Sequence, residues 1–167
     1  MYNIKNRVWY DLVTTGYQSI YSSIYNKKIR NISDWFNIII AITSSASVGA
    51  WAIWNNYQYL WGAIIGIGQI INIIKPYIPS IKDSRLYHEL QLYFEEYHFE
   101  LDYLWLQITL GELTENEIRS EYKKIFEKYF NQSKKFLLIR IDEKSKISEK
   151  AENEWNIQIA KYGVENE

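Results

Sequence analysis

Between Arg119 and Arg140 cations and rings alternate. Lys123, Lys124, Lys128, Lys134, Lys135 and Arg140 interleave with Tyr122, Phe126, Tyr129, Phe130 and Phe136. Ammonium groups neutralise phosphates and aromatic faces stack on bases, so these types together suit a nucleotide messenger or a single-stranded oligonucleotide, with Tyr122, Tyr129 and Phe130 as the stacking rings. Amphipathic packing gives the same pattern, and anionic lipid headgroups are a third partner of the right charge. The segment holds seven basic and two acidic residues, whereas Lys82 to Ile118 holds nine acidic and two basic ones. Glu95, Glu96, Glu100 and Asp102, repeated by symmetry in an oligomer, would form an acidic vestibule that concentrates cations. Read singly, each is a solvated carboxylate on a helix face.

Little points to catalysis. His88 and His98 are ten residues apart, which matches neither the i,i+4 spacing of a helical metal site nor a nucleophile–base pair. Cysteine is absent, and there is no phosphate-loop, nucleophile-elbow or HExxH sequence. The chain reads as a non-enzyme without a cofactor.

A third set of polar residues lies in apolar surroundings. From Trp35 to Ile74 there is no Asp, Glu, Lys, Arg or His, and Asn55-Asn56 divides the run. Its halves, residues 35–54 and 57–74, are near the length that spans a bilayer core of roughly 30 Å at 1.5 Å per residue. The pattern predicts an antiparallel transmembrane hairpin. Trp51, Trp54, Tyr57, Tyr59 and Trp61 cluster near the turn, and Trp35 and Tyr77 mark the other interface. Lys27, Lys28, Arg30, Lys75, Lys82 and Arg85 flank the run while the turn is uncharged, which places both termini in the cytoplasm. Within the second span Gly62, Gly66, Gln69 and Asn72 share a face. They line a water-filled conduit, or else join helices by close contact and amide hydrogen bonds. Two spans cannot enclose a pore, so conduction requires an oligomer, a tetramer in the first instance.

The mean hydropathy of −0.32 averages over two solvents. Around the hairpin the sequence reads as helix throughout: residues 1–34 as an interfacial amphipathic helix with Ile4, Val8 and Leu12 on one face, 35–78 as the hairpin, and 79–167 as a cytoplasmic helical region. Asn31 to Asp34 offers capping groups before the first span. A long helix bears Leu86, Leu90, Tyr93, Tyr97, Leu101, Leu104 and Ile108, and Gly111 ends it. Thr114-Glu115-Asn116-Glu117 is a capping box opening a helix with Ile118, Tyr122, Ile125 and Tyr129 along one face. Ser148 to Tyr162 is a last helix, stopped by Gly163.

Several of these residues together resemble a known family. Arg7-Val-Trp9-Tyr10 with Thr14, Thr15 and Tyr17, Trp35-Phe-Asn37 at the first apolar stretch, His88-Glu-Leu90, Tyr97, Glu100-Leu-Asp-Tyr-Leu-Trp105 and Gly111-Glu-Leu-Thr-Glu115-Asn-Glu-Ile118 resemble the SLATT family, over about residues 5–130. These are bacterial two-transmembrane effectors that accompany nucleotide-signalling components of anti-phage systems. The resemblance implies an oligomeric pore in the bacterial inner membrane, gated by a nucleotide or oligonucleotide made by a partner nucleotidyltransferase, whose opening depolarises and kills or arrests the host. The alternative is a non-conducting, membrane-anchored scaffold whose cytoplasmic helices recruit a partner protein.

Overall fold

The computed structural model of the chain describes residues 3–49, 58–78, 84–137, 139 and 145–162. Five α-helices lie in them: α1 Ile4–Gly49, α2 Gln58–Ile74, α3 Ser84–Thr109, α4 Glu115–Ser133 and α5 Ser145–Ile159. Single 3-10 turns follow at Lys75–Tyr77, Lys134–Phe136 and Ala160–Tyr162. No strand occurs among the described residues. Two compact units emerge, one of Met1–Asn26 with Arg85–Glu167, here the platform, and one of Lys27–Ser84, here the arm.

Apolar residues at steps of three and four close the platform. Val8, Leu12, Tyr21 and Tyr25 of α1 are buried, as are Tyr87, Leu90, Leu101, Leu104 and Ile108 of α3, Ile118 and Tyr129 of α4, and Ile147, Ala151 and Trp155 of α5. Val8, Leu104, Ile108 and Ile118 form one cluster, with Ile4, Trp105, Leu113, Tyr122 and Ile125 against its edge. Each fully buried aliphatic side chain contributes about 1.5–3 kcal/mol by leaving water.

The turn from α3 to α4 is built by local chemistry. Gly111 has φ +72°, the left-handed conformation that costs a residue with a Cβ. The N–H groups of Glu112 and Gly111 donate back to the carbonyls of Gln107 and Ile108 at 3.1 and 3.2 Å, which satisfies the last turn of α3. Thr114 then caps α4: its hydroxyl accepts from the Glu117 N–H at 3.4 Å and Glu117 Oε2 accepts from the Thr114 N–H at 2.8 Å.

In the arm, α1 and α2 run antiparallel. Lys75 Nζ donates to Asn37 Oδ1 at 2.5 Å, and further along Gly68 meets Thr43, where an added Cβ would lie 2.3 Å from the Thr43 hydroxyl oxygen. Thr43 turns that hydroxyl inward, donating to the Ile39 carbonyl at 2.9 Å.

Two expectations are overturned. The helix does not break at Asn31–Asp34: α1 passes through it for 46 residues, because the segment holds capping-type side chains but no proline or glycine to end a helix. Nor does the transmembrane hairpin stand. Among the described residues no helix is long and apolar enough to cross a membrane. The described charge-free part of α1 is Trp35 to Gly49, fifteen residues or about 22 Å, and α2 has 17 residues, about 26 Å, against a core of roughly 30 Å. The inner-membrane, multi-pass placement with both termini cytoplasmic loses its basis with the spans. The turn at Asn55-Asn56 and the rings Trp51, Trp54 and Tyr57 lie outside the described residues.

Candidate functional site

The acidic and basic segments meet where α3 packs on α4. Glu100, expected in an open vestibule, forms an ion pair with Lys128 and accepts from the Tyr129 hydroxyl at 3.1 Å. Tyr129 is fully buried, stacked on Tyr97 with ring centroids 4.4 Å apart and planes 10° off parallel. Tyr93 meets it edge-on at 5.6 Å and donates its hydroxyl to the Tyr129 carbonyl at 3.2 Å. Burial, reinforced by the bond to Glu100, pushes the Tyr129 hydroxyl up to about 12, and burial raises Tyr97 and Tyr93 as well. Tyr129 is therefore a core residue, closed to a stacking base.

Tyr122 is similarly committed. Its hydroxyl donates to Asp11 Oδ2 at 2.5 Å and accepts from Arg7 Nε at 3.1 Å. Burial and the Asp11 bond raise Tyr122, and the Tyr122 bond and the Asp11 charge raise Arg7. This triad ties α1 to α4.

Three of the six expected phosphate ligands, Lys123, Lys124 and Lys128, have carboxylate partners. Lys123 pairs with Glu127 at 3.7 Å and Lys124 with Glu121 at 2.7 Å. Lys134 and Lys135 form no ion pair among the described residues; Lys134 donates to Asn131 at 3.2 Å and lies 5.4 Å above the Phe130 ring. Arg140 lies outside the described residues. Phe130 is 56% exposed and Phe126 38%, and with Tyr122 they form a ladder along α4, at 6.1 and 5.8 Å between successive rings. Phe126 is one of the interleaved rings but not one of the three expected to stack, although the i,i+4 step from Tyr122 to Phe130 passes through it.

The acidic set disperses. Glu95 accepts from Gln91 at 2.7 Å, and Asp102 accepts from the Tyr162 hydroxyl at 2.8 Å, a bond that together with burial raises Tyr162. Glu96 is exposed and lines an open groove with Gln132, Lys135 and Phe136. In the arm Gln69 and Asn72 are also exposed, and nothing lies within 4 Å of a Cβ built on Gly62 or Gly66. The face of α2 that meets α1 is the one with Gly68.

One cluster escaped sequence reasoning. The outer edge of the Trp155 ring of α5 abuts Gly16 of α1, where an added Cβ would lie 2.1 Å from it, and His98 meets the indole edge-on at 5.4 Å. Both Trp155 Nε1 and His98 Nδ1 are buried without a hydrogen-bond partner among the described residues. Burial lowers the His98 pKa against the opposing pull of Asp102 and of a hydrogen bond to the Leu12 backbone. No local pattern could have joined positions so far apart in the chain. Among the described residues no group of three His, Asp or Glu could hold a metal. Among the described residues the arrangement packs helix on helix and places no base beside a nucleophile. The chain matches no family model, and neither a curated protein nor a solved structure is similar to it.

Proposed function

We propose that the chain is a non-enzymatic helical effector that works as a homo-oligomer, assembled through the arm and regulated through the platform. One observation carries this: the arm exposes apolar side chains on both helices at once. Trp35, Ile38 and Ile42 of α1 and Leu60, Ile67, Ile70, Ile73 and Ile74 of α2 are all exposed, with no charged residue between Trp35 and Ile74. A helix that is apolar around its circumference belongs inside something, and two such helices cover only one face of each other. Further copies of the arm cover the rest, with four arms as the expected order. The resemblance to the SLATT family supplies the setting, an effector of a bacterial anti-phage system that arrests its host. Conduction requires membrane spans, and among the described residues no helix is long and apolar enough to supply one.

Sedimentation of the purified chain, with and without detergent, tests this. The parent should be an oligomer, and Ile67→Glu with Ile70→Glu should reduce it to a monomer whose helical circular dichroism in the platform is kept. Growth arrest on expression should be lost in the same variant. A monomeric parent, or an oligomer unmoved by the two glutamates, would remove the proposal, and flotation of the monomer with liposomes would make lipid the arm's cover instead.

A further inference from the structure

α5 reaches the rest of the platform through one uncharged face. Ile147, Ala151 and Trp155, at steps of four, are buried, whereas Lys146, Glu149, Lys150, Glu152 and Glu154 are exposed. Its contacts run to α1 and α3. Trp155 abuts Gly16 and meets His98, and Tyr17 and Ser148 share a hydrogen bond of 2.7 Å. Tyr162, just past the helix, rests edge-on against Trp9 and donates to Asp102. The cluster of Val8, Leu104, Ile108 and Ile118, where α1, α3 and α4 join, has no residue of α5. α5 can therefore leave without opening that cluster, as a local unit of unfolding does.

The seat of α5 carries two orphan polar atoms. Trp155 Nε1 and His98 Nδ1 are both buried and without a partner among the described residues. The His98 ring already serves the Leu12 backbone, so a second proton would go to Nδ1 and become a charged donor with nothing to receive it. The surroundings offer no relief. On α1 the carboxylate of Asp11 is held by Arg7 and Tyr122, the inner face of α5 has no charge, and Tyr97 beside His98 faces α4. Asp102, one turn further along α3, is the exception: its charge reaches His98, but while α5 is docked its carboxylate accepts from the Tyr162 hydroxyl. With α5 away, Nδ1 meets water and Asp102 is free to pair with the imidazolium across i,i+4.

We propose that α5 is an acid-released strap: a proton on His98 and the docked helix exclude one another, and Asp102 changes partner from Tyr162 to His98 as α5 leaves. Release frees the Gly16 face of α1 and the His98 face of α3 while the join of α1, α3 and α4 stays closed. The device belongs to the platform and does not depend on what covers the arm.

Hydrogen exchange of the full-length chain, read by mass spectrometry and corrected for the intrinsic rate at each pH, tests this. Between pH 7.5 and 5.5 the protection of residues 145–162 should fall by roughly fivefold to tenfold, because a solvent-exposed imidazole of ordinary pKa near 6.5 is about nine-tenths protonated at the lower value. Residues 118–129 should keep their protection. His98→Phe should abolish the fall. Tyr162→Phe, which unties Asp102 in the docked state, should lower the protection of α5 at pH 7.5 and shrink the acid effect. Equal protection of α5 and α4 at both pH values would mean that α5 opens only with the whole platform, and would overturn the proposal. So would an acid loss that persists in His98→Phe, or one left at full size in Tyr162→Phe.

Discussion

Trp155 abuts bare backbone, and that contact leaves no room at Gly16 for a side chain. A methyl group there would enter the indole ring, so Gly16→Ala should cost on the order of 1–3 kcal/mol by overpacking, read as a lowered urea midpoint. The neighbouring His98 adds a pH dependence with a definite sign. Its folded pKa is lowered from 6.5, chiefly by burial, so the unfolded chain takes up the proton first. Stability is complete above about pH 6.5 and falls as the pH drops from there toward the folded value. Melting curves of the parent and of His98→Phe at pH 7.5 and 5.5 check this: the extra acid loss of the parent should vanish in the variant. Tyr129 acts at the other end of the scale. Raised from 10 to about 12, it contributes stability that is complete below pH 10 and is lost as the pH climbs through 12. Tyr129→Phe should flatten the alkaline limb of the same curve.

Helices whose signals are local were legible in the sequence. Gly111 ends α3 and the Thr114–Glu117 box opens α4 because both depend on side chains within a few residues of the backbone groups they satisfy. Thr114→Ala should cost about 1 kcal/mol in a denaturant titration, as a lost N-cap does. The inward faces of α3 and α4 were legible for the same reason, through their 3.6-residue period. What was not legible was the continuity of α1, since capping residues permit a helix start without compelling one. The candidate site was only half legible. Residue types located the basic-aromatic segment, and the helical period already set Tyr122 and Tyr129 on the face of Ile118, against their stacking on a base; the ion pairs of Lys123, Lys124 and Lys128, however, depend on where each carboxylate falls in space.

At the scale of the molecule, composition marks residues 35–74 as free of charge, while the lengths of the described helices tell against two membrane spans. A charge-free stretch announces only that it will be covered. Whether bilayer or protein covers it turns on helix length and on which faces the hairpin consumes, and Gly68 opposite Thr43 shows the consumed face to be a narrow one. The platform, meanwhile, is discontinuous. Arg7 finds Tyr122 across 115 residues and Tyr17 finds Ser148 across 131, with the whole arm between them. This has a kinetic consequence. During synthesis the N-terminal part of α1 and the greasy arm leave the ribosome while α3, α4 and α5 do not yet exist, so neither can reach its native neighbours. Contacts of such separation must close large loops, which slows folding and lengthens the time during which apolar surface is open to the wrong partners. In the cell the yield of folded chain should accordingly depend on chaperone supply and on translation speed through residues 85–162 more than on the stability of the finished protein.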